Sequence, residues 1–174
     1  MYTSLTLPCS IIAIGAFDGV HQGHQAVIQQ AVEKSKELHV PSVIYTFDPP
    51  PRVFFQGVQM ITTIAEKLSI LEKLGVDHVV VTRFDLAYAN KSAHDFIQTL
   101  ANLNPMEIIV GEDFRFGQGR TGDLAMLKKY FNVDMMQPVC CSKGNTVSST
   151  RIRQLIAEGD TRLSNLLLGW PIGE

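Results

Sequence analysis

The chain has 174 residues, of which 45% are hydrophobic and 18% charged, and a formal net charge of −2. That length and apolar share suit one domain with a buried core and exclude an intrinsically disordered chain. The charge balance exerts no general pull on nucleic acid or anionic membrane, so a phosphate ligand would have to be bound by local geometry.

In chain order, the apolar run Ile11–Ile14 reads as the first strand. The turn Gly15-Ala-Phe-Asp-Gly-Val-His-Gln-Gly-His24 follows, and then a helix from Gln25 to Leu38 with Val27, Ile28, Ala31 and Leu38 as its apolar face. Pro41 marks a restart, Ser42–Phe47 is the second strand, and Asp48-Pro-Pro-Pro51 is expected to block regular structure. Thr63-x-x-Glu66 is a capping-box pattern for a helix with Ile64, Leu68, Leu71 and Leu74 on one side and Gly75 as its stop. His78–Thr82 is the third strand, with Asp85 in the loop after it. Ser92 caps a helix whose Phe96, Ile97, Leu100 and Leu103 face inward, and Glu107–Val110 is the fourth strand. Asp123–Phe131 is a short helix and Asp134–Val139 the fifth strand. Ser149 or Thr150 caps a helix to Ala157, Gly159 stops it, and Arg162–Leu168 continues as a last turn or two.

Alternating strands and helices predict an α/β fold, a Rossmann-like parallel five-stranded sheet with helices on both faces. Ligands on such sheets bind outside the carboxyl ends of the strands. Three candidate segments share that edge: the His21/His24 turn after strand one, the proline loop after strand two, and Gly111-Glu-Asp-Phe after strand four. No run of about 18 apolar residues suggests a membrane span. The start, MYTSLTLPCSIIAIG, lacks the basic region of a signal peptide. Three cysteines, two of them adjacent at Cys140 and Cys141, make neither a disulfide framework nor a C-x-x-C metal site. A cytoplasmic, reduced protein is expected, with Cys140-Cys141 at a buried strand end.

The turn carrying His21 and His24 opens a helix, where backbone N–H groups are unpaired and the dipole is positive, a ready site for phosphate. Paired histidines beside a glycine turn also occur as plain surface residues; the strand–helix junction favours the functional reading. Imidazoles there, neutral or protonated, have N–H groups to offer triphosphate oxygens, and no third and fourth ligand is visible for zinc. In Val147-Ser-Ser-Thr-Arg-Ile-Arg153, caps alone explain the hydroxyls, but two arginines in a first helical turn oppose the dipole and call for an anion. Phe47, Phe54 and Phe55 read equally as core or as the wall of an aromatic ligand site, and Phe114 and Phe116 sit in a loop typical of function. Gly117-x-Gly119-x-x-Gly122 matches a dinucleotide fingerprint but does not directly follow a strand, so it is discounted. His39, His78 and His94 are scattered, and neither a P-loop nor a Gly-x-Ser-x-Gly elbow occurs.

Phe17-Asp-Gly-Val-His-x-Gly-His24 resembles the HxGH turn of the adenylyltransferase superfamily, and its FDGVH form that of bacterial FAD synthetases. Val147-Ser-Ser-Thr-x-x-Arg153 is similar to that superfamily's I-S-S-T-x-x-R. Thr46-Phe-Asp-Pro-Pro-Pro-x-x-Phe-Phe55 resembles the loop T-F-[DE]-P-H-P-x-x-x-F, with Pro50 where many members have histidine. Ile61-Thr-Thr-x-x-Glu-Lys-Leu68 and Leu71-x-Lys-Leu-Gly-Val-Asp77 look like the same connecting segments. The chain thus resembles the FMN adenylyltransferase module of bifunctional riboflavin kinase/FAD synthetase, from about Ile11 to Gly169.

The resemblance implies a nucleotidyltransferase fold over 1–174 as one domain, transfer of AMP from ATP to FMN, Mg²⁺ accompanying ATP, and FAD and pyrophosphate as products. It implies small-molecule partners without nucleic acid or membrane, no riboflavin kinase module, and no riboflavin phosphorylation. It implies His21, His24, Ser149, Thr150 and Arg153 as catalytic residues, with Gly15, Ala16, Phe17, Asp18, Gly23 and Ser148 at ATP. Phe47, Pro49, Phe54, Asp113, Phe114 and Phe116 are implied at the flavin. Arg151 falls at a variable position, and Pro50 leaves room for a different rate or substrate. Two other functions stay open: a nucleotidyltransferase of the same fold with another phosphate acceptor, and a non-catalytic flavin- or nucleotide-binding paralogue.

Overall fold

In a computed structural model, which describes residues 5–142 and 144–171, five parallel strands form one sheet in the order β3-β2-β1-β4-β5. They are β1 (Ser10–Ile14), β2 (Ser42–Asp48), β3 (His78–Arg83), β4 (Pro105–Gly111) and β5 (Val133–Met136). Between them lie α1 (Gln22–Leu38), α2 (Pro51–Gln56), α3 (Ile64–Lys73), α4 (Leu86–Ala89), α5 (Ala93–Ala101) and α6 (Leu124–Lys128), and α7 (Ser149–Ala157) and α8 (Thr161–Leu168) close the chain.

Period-two alternation along each strand sends neighbours to opposite faces. Ile11 and Ala13 join Ile44 and Ile109 under α1 and α3, with Ile28, Ala31 and Leu71. Ile12 and Ile14 join Val43, Tyr45, Ile108 and Val110 on the other face, with Phe96, Ile97 and Leu100 of α5 and Leu127 of α6. The strands look like unbroken apolar runs because both faces are covered. The strand order reverses beside β1, between β2 and β4, so the carboxyl end of β1 opens at the topological switch point. A third cluster, Val147, Ile152, Leu155, Leu167 and Leu168, holds α7 against α8. Gln25 Nε2 donates to the Leu168 carbonyl at 2.7 Å and Gln22 Nε2 to the Leu166 carbonyl at 2.8 Å, fastening that pair to the start of α1.

Several local expectations are corrected. The prolines after β2 start a helix: Pro51 opens α2, where a missing N–H costs nothing and φ is already helical. Lys67, not Leu68, lies on the inward face of α3; Lys67 is buried and Leu68 is 38% exposed. Leu38 is exposed, and Val32 and Ser35 continue the buried stripe of α1 instead. Asp85 is the N-cap of α4, accepting from the Tyr88 N–H at 2.9 Å. β5 stops at Met136, since Pro138 has no donor for the ladder. Ser148, one residue earlier than expected, caps α7, and Asp160 caps α8 as a separate helix. Cys140 is exposed and Cys141 half-buried, so the pair does not end a buried strand.

Residues 112–122, after β4, dock on the start of α5 through Gly117. Its φ is +75°, and an added Cβ would lie 2.6 Å from the Ala93 backbone nitrogen. Both facts exclude a side chain. Gly117→Ala is expected to cost about 2 kcal/mol or more, read as a lower denaturant midpoint with unchanged slope.

Candidate active site

The turn after β1 is built from sparsely populated backbone. Phe17 (φ +46°), Gly19 (φ +86°) and Val20 (φ +37°) all have positive φ, an unusual state for a β-branched valine. Tertiary contacts hold it. Gly19 N–H donates to Thr62 Oγ1 at 3.0 Å, and Trp170 Nε1 donates to the Gly19 carbonyl at 3.0 Å. Gly15 is required because a Cβ would sit 2.8 Å from the Phe17 ring.

His21 caps α1, its Nδ1 accepting from the His24 N–H at 3.3 Å, which leaves the proton of the neutral ring on Nε2. The two imidazoles stack with centroids 3.6 Å apart and planes 16° from parallel, and Phe17 meets His24 edge-on at 5.4 Å. Burial pushes His21 down to about 4. Burial, helped by His21 and the Lys67 ammonium, holds His24 well below its ordinary value. Both shifts favour the neutral ring at physiological pH in the chain without a ligand. Nδ1 of His24 is buried without a hydrogen-bond partner among the described residues, an unmet polar group at the start of a helix.

Asp18, 3% exposed, joins three segments. Its carboxylate accepts from the N–H groups of Ile61 (3.0 Å) and Thr62 (3.3 Å) and pairs with the Arg153 guanidinium. Ser149 Oγ donates to the Asp18 carbonyl at 2.8 Å, and Arg153 Nε to the Gln59 carbonyl at 2.7 Å. The first turn of α7 is thereby locked beside the start of α1. The anion that the α7 arginines called for is, for Arg153, a carboxylate of the chain itself. Arg151 instead donates to Cys141 Sγ at 3.3 Å.

Lys67, 1% exposed, was missed in the sequence, although a lysine on the apolar stripe of a helix is a signal in itself. Its Nζ donates to the Ala16 carbonyl at 2.8 Å and, at 3.4 Å each, to Thr46 Oγ1 and the Phe47 carbonyl, tying the ends of β1 and β2 together. Burial lowers its pKa, opposed by Asp18 and Asp48. Arg52, also missed, reaches Thr150 Oγ1 at 2.5 Å.

The aromatic segments divide. Phe47 and Phe116 are core, at 8% and 6% exposure, and Phe54 and Phe114 pack against that core half-buried. Phe55 is 65% exposed. Phe114 and Phe116 stack at 5.7 Å, and Phe116 exchanges two backbone hydrogen bonds with Gly122, placing the second half of the glycine-rich stretch in a tight turn. Asp113 is exposed at the loop start, Pro49 is half-buried, and Pro50 is buried as the N-cap of α2. Among the described residues no group of three His, Cys, Asp or Glu side chains could hold a metal ion, and no helix is long and apolar enough to cross a membrane.

Arg153→Ala would strand Asp18 as an unpaired buried charge, an expected loss of about 3–5 kcal/mol, checked by chemical denaturation. The histidines give a pH dependence of known sign. Between the ordinary pKa of 6.5 and about 4, the unfolded chain takes up a proton at His21 that the folded chain refuses. Stability is full above pH 6.5 and declines through that window, by about 2 kcal/mol at pH 5 from His21 alone, with His24 adding in the same direction. His21→Gln should flatten the decline; equal slopes for variant and parent would refute it.

The FAD synthetase family model matches residues 5–151. A relative from Geobacillus thermodenitrificans, under a provisional name that pairs riboflavin kinase with FMN adenylyltransferase, is 57% identical over 97% of this chain and 94% of its own length. The bifunctional riboflavin kinase/FMN adenylyltransferase of Escherichia coli K12 is 37% identical over 92% of this chain and 54% of its own. This chain thus spans about half the length of that relative. A crystal structure described as a macrolide-efflux protein from Streptococcus pneumoniae superposes with a TM-score of 0.86 at 31% identity, over 97% of this chain and 59% of that one.

Proposed function

The chain belongs to the FAD synthetase family, and from that premise we propose that it transfers the adenylyl group of ATP to FMN, giving FAD and pyrophosphate. The observation that carries this reading is the convergence of two helix starts, α1 and α7, stitched through Asp18 around a stacked pair of neutral histidines. Two positive dipole ends with unpaired N–H groups suit a polyphosphate. The strained, glycine-bearing turn lets backbone approach it closely.

A phosphate oxygen of FMN attacks the α-phosphorus of ATP, and the bond from that phosphorus to the pyrophosphate oxygen breaks in line. FMN brings an already ionised phosphate, so the protein supplies neither nucleophile nor strong base. Its task is positioning and charge stabilisation. Neutral imidazoles serve as N–H donors without changing charge: His21 through Nε2, and His24 through whichever nitrogen carries its proton. Ser148, Ser149 and Thr150 present the first turn of α7 to the departing phosphates. Gly15, Ala16, Phe17 and Gly23 line the backbone path of the nucleotide. Asp18 and Arg153 hold that path in shape rather than meeting the substrate first, because each is the other's partner. Phe54, Phe114 and Asp113 border the flavin side, with Phe47, Pro49 and Phe116 behind them. Mg²⁺ would accompany the ATP and offset the charge of its phosphates during transfer.

Purified protein with FMN, ATP and Mg²⁺ is expected to release FAD and pyrophosphate, and with riboflavin as sole flavin to make none. Saturable ATP binding without FAD would turn the reading to another acceptor or to a binding paralogue. His24→Ala should lower kcat on the order of 100-fold while ATP affinity changes little. An unchanged kcat with weaker ATP binding would remove His24 from the transition state.

A further inference from the structure

Arg52 has a place in the molecule that folding does not explain. Two prolines in series, Pro50 at the N-cap and Pro51 in the first turn of α2, restrict the backbone that launches it. Its Nε donates to Gln56 Oε1 at 2.8 Å, one helical turn on, which aligns the guanidinium. Its Nη1 then crosses to the first turn of α7 and donates to Thr150 Oγ1 at 2.5 Å. This bond joins the proline loop to the hydroxyl motif, and both of its residues are exposed.

Among the described residues Lys34, Arg83, Arg115 and Arg153 are paired with carboxylates, whereas Arg120, Arg151 and Arg162, like Arg52, are not. Arg52 has no carboxylate partner among the described residues and rests on a neutral hydroxyl. It rests, moreover, at the positive end of a nine-residue helix, where a cation is disfavoured. A guanidinium also carries more N–H donors than its two bonds use. An unneutralised cation, an exposed hydroxyl and a helix start that face one another are what a multiply charged phosphate would neutralise together. At the start of α1, which Ser149 of α7 meets through the Asp18 carbonyl, His24 Nδ1 is likewise a polar atom without a partner among the described residues.

We propose that Arg52 is a phosphate-binding residue of this chain, which exchanges the Thr150 hydroxyl for the pyrophosphate portion of the nucleotide and so draws the start of α2 toward the site. This rests on the adenylyltransferase reading for its nucleotide but not for its chemistry. Arginine's planar fork meets two phosphoryl oxygens at once. It also supplies, from the proline loop, the positive charge that Arg153 spends on Asp18 and that the neutral histidines lack.

The test is calorimetric titration of inorganic pyrophosphate, and separately of ATP, into the whole protein and into Arg52→Ala and Arg52→Gln. Removal of a charge-assisted, forked contact is expected to weaken both ligands at least about tenfold, with thermal midpoints unchanged because the side chain is exposed. Arg52→Gln keeps a donor for Thr150 but not the charge, so it should bind as weakly as Arg52→Ala. Either variant binding pyrophosphate as the parent does would overturn the proposal. Loss of pyrophosphate binding in variants of a protein that makes no FAD would sustain the proposal and sink the adenylyltransferase reading. FAD synthesis by the parent, matched by Arg52→Ala in KM for ATP and in kcat, would do the reverse.

Discussion

The pairing of Arg153 with Asp18 is the constraint on which the site depends. A nearly buried carboxylate must be matched, or its desolvation is uncompensated. Here a guanidinium and two backbone N–H groups match it, drawn from the segment before α3 and from α7. Three pieces of chain far apart in sequence are thus obliged to meet. Remove the carboxylate and the strained Phe17–Val20 turn loses the partner that fixes its middle, while α7 loses its register against α1. Ser149, bonded to the backbone of the same aspartate, repeats the restraint with a neutral group.

Around that pair the electrostatics are arranged with restraint. Lys67 fixes the floor of the site by bonding the Ala16 and Phe47 carbonyls, and its charge acts with burial to keep His24 neutral. Neutral histidines and a neutralised Arg153 leave attraction of phosphate to helix starts, backbone N–H groups and the cation at the mouth. Such preorganised dipoles need no rearrangement when charge shifts during transfer. The strained backbone at Phe17 and Val20 lies at the carboxyl end of β1, beside the switch point of the sheet, and is held by the Val20 N–H on the Phe17 carbonyl and the Gly19 N–H on Thr62.

Much was legible because it is local. The alternation of strands and helices, the capping box at Thr63 and Glu66, and the cap at Ser92 depend on residues within a few positions of one another, and the structure has them where the pattern puts them. The HxGH and SSTxxR segments were found in the same way, as short motifs at predicted junctions. Where local rules competed, the sequence misled. Prolines after β2 read as a break, yet proline is well suited to a first helical turn. Leu68 read as core, yet the true inward stripe of α3 includes a lysine, whose burial only its distant carbonyl partners make tolerable.

The sequence by itself determined the α/β class, the edge of the sheet at which the motifs gather, and the family resemblance, since these follow from periodicity and contiguous residues. Only the tertiary structure decided what each charged group does. Asp18 and Arg153, expected at the nucleotide site, are paired with each other. Arg52 and Lys67 look like ordinary surface residues, yet Arg52 joins α2 to α7 and Lys67 ties the ends of β1 and β2. Charge pairing and desolvation are set by three-dimensional neighbours, here 135 residues apart for Arg153 and Asp18, 98 for Arg52 and Thr150 and 51 for Lys67 and Ala16. No pattern within a single segment carries that information.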